Sequence, residues 1–192
     1  MTSFKMFRDL LKSDLYRQRG KCGARELMLQ FYKTPGFRYL FFLRCCRFLK
    51  THSVMQYGIY HITYLFLRHY AIKYGIDIPY QTRIGSGFYI GHYSGIFVSG
   101  KVIIGKNCNI SHGATIGETV RGKRMGCPTI GDNVYIGPGA KIIGGITIGN
   151  NVAVGANAVV TKNVPDNAVV VGIPAKVISR NGSAGYINFT DY

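Results

Sequence analysis

From Ile84 onward the chain places an aliphatic residue at every sixth position, and few folds satisfy that period. Ile84-Gly85, Ile90-Gly91 and Ile96-Phe97 lie six apart; after a slip of two, Val98, Ile104, Ile110 and Ile116 continue. Ile130, Ile136, Ile142, Ile148, Val154 and Val160 then hold the same beat. A six-residue period belongs to a parallel β-helix, in which three short strands make one triangular turn. The pattern predicts that one residue in six points into a narrow interior and is therefore aliphatic, often β-branched. The next position turns the corner, where Gly or Asn accepts the required backbone conformation. Stacked turns then bury a continuous aliphatic column. A layered α/β domain would need helical stretches of about 10–15 residues between strands, and this region has none.

Residues 1–76 follow a different rule and read as helical. "FRYLFFLRCCRFLK" (37–50) puts Tyr39, Phe42, Cys46 and Leu49 at helical spacing, with Arg38, Arg44, Arg47 and Lys50 between them. "VMQYGIYHITYLFLRHYAIKYGI" (54–76) is apolar almost all round. The pair is expected to pack on the rest of the protein and on neighbouring subunits. The longest uncharged run, 14 residues from Val54 to Leu67, is short of the roughly 18–20 a membrane span needs, so no transmembrane helix is expected.

Residues 1–76 hold 14 Lys and Arg against three acids, and the remainder 10 against five. So basic a segment suits nucleic acid, anionic lipid or a polyanionic substrate. The chain carries no helix-turn-helix glycine turn, zinc spacing or RNP-type strand, which argues against nucleic acid. A peripheral contact with the inner membrane leaflet through residues 1–76 remains as an expectation. Five cysteines, with no CxxC pair and no secretory leader, suggest reduced thiols in a cytoplasmic protein. The expected organisation is a basic, aromatic helical segment (1–76), a β-helix (77–178) and a C-terminal tail (179–192).

A periodic core explains the aliphatic residues, so chemistry should sit where the period is interrupted. The longest interruption is "ETVRGKRMGCPTIGD" (118–132), with Arg121, Lys123, Arg124 and a Cys127-Pro128 pair. His92 in "IGHYSGI" and His112 in "ISHGATIG" each follow an interior aliphatic by two positions and should project outward. Neither His/Cys pair has a nearby carboxylate in sequence, so no metal site is expected.

The run from "IDIPYQTRIGSGFYIGHYSGI" through "VVVGIPAKVI", roughly residues 74–178, resembles the hexapeptide-repeat acyltransferases. It is most similar to the serine acetyltransferase branch and, in motif, to exopolysaccharide O-acetyltransferases of the colanic-acid type. Four elements in order carry the resemblance: "GHxxGI", a loop ending in "PTIGD", "IGPGAKIIGGITIG" and "VPDNAVVVGIPAKVI". It implies a left-handed parallel β-helix assembled as a homotrimer, with acetyl-CoA as co-substrate in the groove between subunits. His92 matches the family's catalytic histidine and Asp77, 15 residues upstream, its supporting aspartate. Gly117, Pro138 and Ala156 match positions along the acetyl-CoA groove, with Lys162 and Lys176 placed for the nucleotide phosphates. The loop would reach a neighbouring subunit's site, giving an acceptor pocket of Gly91, Tyr93, His112, Arg124 and Cys127.

The departures concern the acceptor. Serine acetyltransferases carry an aspartate where this chain has Gly91, and "RHP" where it has Gly126, Cys127 and Pro128. Without a charged partner for the amino acid, a small zwitterion loses charge-assisted hydrogen bonds. The sequence therefore favours acetyl transfer to a sugar hydroxyl of a capsular or exopolysaccharide precursor. Serine O-acetylation with an altered pocket is the alternative, and a non-catalytic β-helix scaffold at the membrane surface is a third reading.

Overall fold

The computed structural model describes residues 3–51 and 58–192. Four helices come first, where the sequence suggested two: α1 (Phe4–Arg19), α2 (Ala24–Lys33), α3 (Pro35–Leu49) and α4 (Ile59–Tyr74). The expected start of the last helix, at Val54, lies outside the described residues. Local chemistry sets the ends. The Ser3 side chain accepts from Met6 N–H at 3.2 Å, Pro35 opens α3, and Gly20 and Gly75 close α1 and α4 in the left-handed region.

Three parallel sheets follow, one per face of a β-helix. The first face stacks β1 (Ile76–Asp77), β4 (Ile96–Val98), β7 (Thr115–Gly117), β10 (Lys141–Ile143) and β13 (Val159–Val160). The second stacks β2 (Arg83–Ile84), β5 (Ile103–Ile104), β8 (Thr129–Ile130) and β11 (Thr147–Ile148). The third stacks β3 (Tyr89–Ile90), β6 (Asn109–Ile110), β9 (Tyr135–Ile136), β12 (Ala153–Val154) and β14 (Val169–Val171), closed by the antiparallel β15 (Lys176–Ser179).

The interior corrects the one-in-six expectation. Two residues of each hexad are buried: the strand aliphatic and the residue two before it, as in Val102 and Ile104, Cys108 and Ile110, Ala114 and Ile116, or Ala140 and Ile142. The second column mixes sizes, from Ala114, Ala140, Ala158 and Ala168 through Val134 and Val152 to Ile146 and Phe88. Register also explains the slip of two. Ile76 pairs with Ile96 and Arg83 with Ile103, twenty residues on, whereas Phe97 pairs with Thr115, eighteen on. The two extra residues lie between Ile90 and Ile96, on the corner that holds His92. Asn107, Asn133, Asn151 and Asn167 turn another corner at φ 54–60°. Their side chains form a ladder of hydrogen bonds of 3.0–3.2 Å.

The helices cap the open first turn, whose backbone groups would otherwise face no partner. Arg44 and Asp14 are both fully buried and paired at 2.8 Å. Arg44 also donates to Ile84 O (2.7 Å) and Gly85 O (2.6 Å), while Asp14 accepts from Phe88 N–H (2.9 Å). Arg17 is buried too and donates to Gly87 O and to Asn109 Oδ1. Not all of the helical segment's positive charge is therefore surface charge, as the sequence had suggested; these two arginines hold the cap. Gly36 of α3 lies against Ile90, whose Cβ would be 2.8 Å from any added Cβ.

The tail doubles back along the third face. Ser183 Oγ donates to Asn133 O (2.6 Å), Tyr186 stacks on Tyr135 at 4.4 Å, and its carbonyl accepts from Asn109 Nδ2 (2.8 Å). Tyr192 hydroxyl reaches Asn107 Oδ1 (2.7 Å) and Ser86 Oγ (2.9 Å) in the first turns. Among the described residues no helix is long and apolar enough to cross a membrane.

Candidate active site

The edge between the third and first faces gathers much of what the sequence singled out. Ile90 pairs with Ile110, Ile110 with Ile136 and Ile136 with Val154. Two residues beyond each stand His92, His112, Pro138 and Ala156, in one column. Backbone bonds tie the column together: Gly113 N–H donates to Ser94 O, Gly139 N–H to His112 O and Asn157 N–H to Pro138 O, at 2.8–2.9 Å. Both imidazoles are exposed, with ring centroids 5.9 Å apart and planes 80° apart. The two rings stand side by side on the exposed edge, and below them Ala156 and Gly172 are exposed and Pro138 partly so.

The corner splays along the helix axis. His92 meets His112 on the turn below, while Tyr93 leans on Tyr74 above, at 5.2 Å. Tyr74 is fixed in turn by Tyr70, stacked at 5.3 Å, and by Arg38, which donates to its hydroxyl at 2.6 Å. Sequence reasoning missed Tyr74 and Arg38, because α3 and α4 only meet the corner in three dimensions. It also missed Lys141, half-buried, whose Nζ donates to Gly113 O (2.5 Å) and Thr115 Oγ1 (3.1 Å) beside His112. The hexad register of Lys141 with Thr115 was the available signal.

Gly91 has a structural counterpart. A Cβ there would lie 3.0 Å from the Tyr89 ring, so the tyrosine takes the space a side chain would need. Asp77 is exposed on β1, one turn above the strand that follows His92. It lines a cleft of about 150 Å³ with Arg68, Tyr39 and Tyr80. Among the described residues no hydrogen bond or ion pair joins Asp77 to His92, so the protomer does not display the expected dyad as a made contact.

A second group sits at the far edge of the first face. Gly117 ends β7, and its carbonyl accepts from Gly144 N–H at 3.0 Å. The loop leaves there as a hairpin pinned by Thr119 and Gly126, which exchange N–H···O bonds of 3.1 and 2.8 Å. Lys101 and Glu118 pair at 3.0 Å at its base. Arg124 turns back along its own chain to Thr161 O (3.3 Å), next to the exposed Lys162. Cys127 is half-buried with Sγ 3.5 Å from Ser99 Oγ. A turn at His112-Gly113 and then β7 separate His112 from Gly117, and among the described residues no hydrogen bond or ion pair joins Arg124 or Cys127 to His92. Lys176 is exposed on β15, on the third face. All five cysteines are free, and burial pushes the thiols of Cys45, Cys46 and Cys108 up to about 12, which leaves those three protonated and unreactive at neutral pH.

The family of bacterial transferase hexapeptide (six repeats) matches residues 127–162. A serine acetyltransferase of Mycobacterium tuberculosis is 45% identical over 109 residues, 56% of this chain and 47% of that protein. The chain spans about half the length of the curated relatives it matches. The crystal structure of serine acetyltransferase from Brucella abortus superposes with a TM-score of 0.76 at 30% identity, covering 94% of this chain and 72% of that one. The same enzyme in complex with coenzyme A gives 0.75 at 30%, covering 93% and 70%.

Proposed function

The chain belongs to the hexapeptide-repeat transferases, in their serine acetyltransferase-like group, and from that premise we propose that it is an acetyl-CoA-dependent O-acetyltransferase. The observation that carries the reading is the column of His92 and His112 above Pro138 and Ala156, in a chain whose fold superposes on that of a relative solved in complex with coenzyme A. An alcohol is a weak nucleophile at neutral pH. His92 takes its proton as the oxygen attacks the thioester carbonyl, and then returns it to the departing thiolate. Asp77, directed at the far ring nitrogen, would fix the tautomer and stabilise the imidazolium. Backbone N–H groups would hold the oxyanion. Acetyl-CoA would lie along Pro138 and Ala156 with Lys176, whose partner Val171 adjoins that edge, and Gly117 and the exposed Lys162 would be supplied from a neighbouring edge. That division between two edges is the support for a homotrimer, with the 118–128 hairpin completing the next subunit's pocket; the left-handed winding is taken from the likeness to serine acetyltransferases.

Two acceptors compete. The names of the relatives favour L-serine over the saccharide reached from sequence. A saccharide hydroxyl keeps support from one local observation: the Tyr89 ring crowds Gly91, and the loop offers Gly126 and Cys127, so the positions where serine acetyltransferases carry Asp, Arg and His hold no charge here. The test is thiol release from acetyl-CoA with L-serine or with nucleotide-sugar and oligosaccharide acceptors. Turnover with serine alone, at rates typical of enzymes, removes the saccharide reading. His92→Ala should lower turnover by about 10²–10⁴-fold with the oligomer intact. Unchanged turnover takes His92 out of the mechanism, and failure of wild type with every acceptor, without coenzyme A binding, leaves the scaffold.

A further inference from the structure

The helical layer leaves one side of α4 uncovered. Its inner side buries Leu67 and Tyr74, yet Ile62, Leu65, Phe66 and Ile72 on the other side are 58, 68, 47 and 77% exposed. With the exposed His69 between Phe66 and Ile72, these positions step three to four residues at a time and form one stripe along 16 residues of helix, with Phe66 also stacked on Phe42 at 5.3 Å. A shallow groove of about 370 Å³ runs between Ile62, Leu65, Phe66, His69 and Tyr70. Scattered exposed apolar residues are ordinary, but a continuous stripe on a helix that is also apolar inside marks a contact surface.

Charge decides what covers it. From Leu27 to Ile76 there is no Asp or Glu at all, while Arg68 and Lys73 are exposed on α4 itself. A second copy would set this carboxylate-free surface against an identical one, with positive charge facing positive charge and nothing to neutralise it. An anionic bilayer supplies the opposite sign over the whole face and an apolar layer for the stripe. We infer that α4 lies flat on an anionic lipid surface, with Ile62, Leu65, Phe66 and Ile72 inserted at headgroup depth. The helix is about 24 Å long, suited to lying in the interface. The inference stands independently of the acyl-transfer reading. It has a consequence for that reading: α4 ends at Gly75, two residues before Asp77, so an acceptor held in the bilayer would arrive beside the candidate site.

The experiment is flotation of the full chain with vesicles of phosphatidylcholine alone or mixed with phosphatidylglycerol. Wild type should float with the mixed vesicles at low salt and at least about tenfold less at high salt, because surface charge is screened within a Debye length. Leu65→Glu/Phe66→Glu should abolish flotation without changing the far-ultraviolet circular dichroism or the molar mass by light scattering. Leu65→Ser/Phe66→Ser, which adds no charge, serves where the first variant fails to fold and should weaken binding in the same direction. No flotation of wild type, equal flotation of wild type and serine variant, or a lower oligomer mass in either variant would overturn the inference; the last would make the stripe a subunit contact. Thiol release with a soluble acceptor, measured on the same variants, reports separately on acetyl transfer.

Discussion

Replacing Arg44 by Met leaves a carboxyl group and two carbonyls stranded in the cap, and the loss can be worked from the contacts. Asp14 loses guanidinium bonds of 2.8 and 3.3 Å, and Ile84 O and Gly85 O lose donors at 2.7 and 2.6 Å. The charge part has a ceiling, because Asp14 can take up a proton. At pH 7 that costs about 4 kcal/mol, three units above an unfolded pKa near 3.9 at about 1.4 kcal/mol each. At pH 5 the same step costs about 1.5 kcal/mol. The two carbonyls add about 2 kcal/mol at either pH. Burial already pushes the Asp14 carboxyl up, against the pull of Arg44 and the Phe88 N–H; removing Arg44 leaves burial with less opposition.

The sign follows. A carboxyl whose folded pKa is raised contributes stability that is full below its unfolded pKa and is lost as pH rises towards the folded value. Arg44→Met should therefore cost at most about 3–4 kcal/mol at pH 5 and at most about 6 kcal/mol at pH 7, less the part that burial of Asp14 already costs the wild type. For a chain of this size each kcal/mol corresponds to roughly 2–4 °C in Tm. Thermal melts of both proteins at pH 5, 6 and 7 measure the gap. A difference that stays below about 1 kcal/mol, or does not widen with pH, would refute a buried ion pair as the clasp of the cap.

Two glycines give further checks. Gly36→Ala drives a methyl into Ile90 where α3 meets the third face, and should cost about 2–3 kcal/mol as overpacking, read as a lowered denaturation midpoint. Gly139→Ala meets two obstacles on the candidate site's edge, a φ of 69° and the Asn157 side chain. About 1–2 kcal/mol of stability should be lost, with a raised KM for acetyl-CoA if the edge is its groove and an unchanged KM if it is not.

The hexad beat was legible because each side chain of a β-helix sees mainly the turns above and below it, so local sequence carries the packing. The second interior column was not, since Ala114 or Ala140 buried at a corner is the same letter as an exposed small residue. The slip of two was visible as a number, but only the registers of Ile90 with Ile110 and of Phe97 with Thr115 located it at the His92 corner. Arg44 reads as one more cation in a basic helix; its partner Asp14 lies thirty residues away, and helical spacing says nothing of a contact between α1 and α3. For the site, sequence motifs named the column at His92, His112, Pro138 and Ala156, which the turns stack, and also Arg124 and Cys127, which sit in the hairpin beside Thr161 and Ser99. Hexad spacing places the residues of the turns but says nothing of where a hairpin that leaves them will lie.

The tail that returns along the third face changes how the molecule can come apart. A plain solenoid is a row of turns each held only by its neighbours, and its last turn can peel away while the rest stays folded. Here the irregular segment that follows β15 brings Tyr192 back to Ser86 and Asn107 of the first turns. Loosening the bottom slackens the top, where the capping helices and the His92 corner sit. The row is fastened into a loop, and an open chain of weak links becomes one cooperative unit.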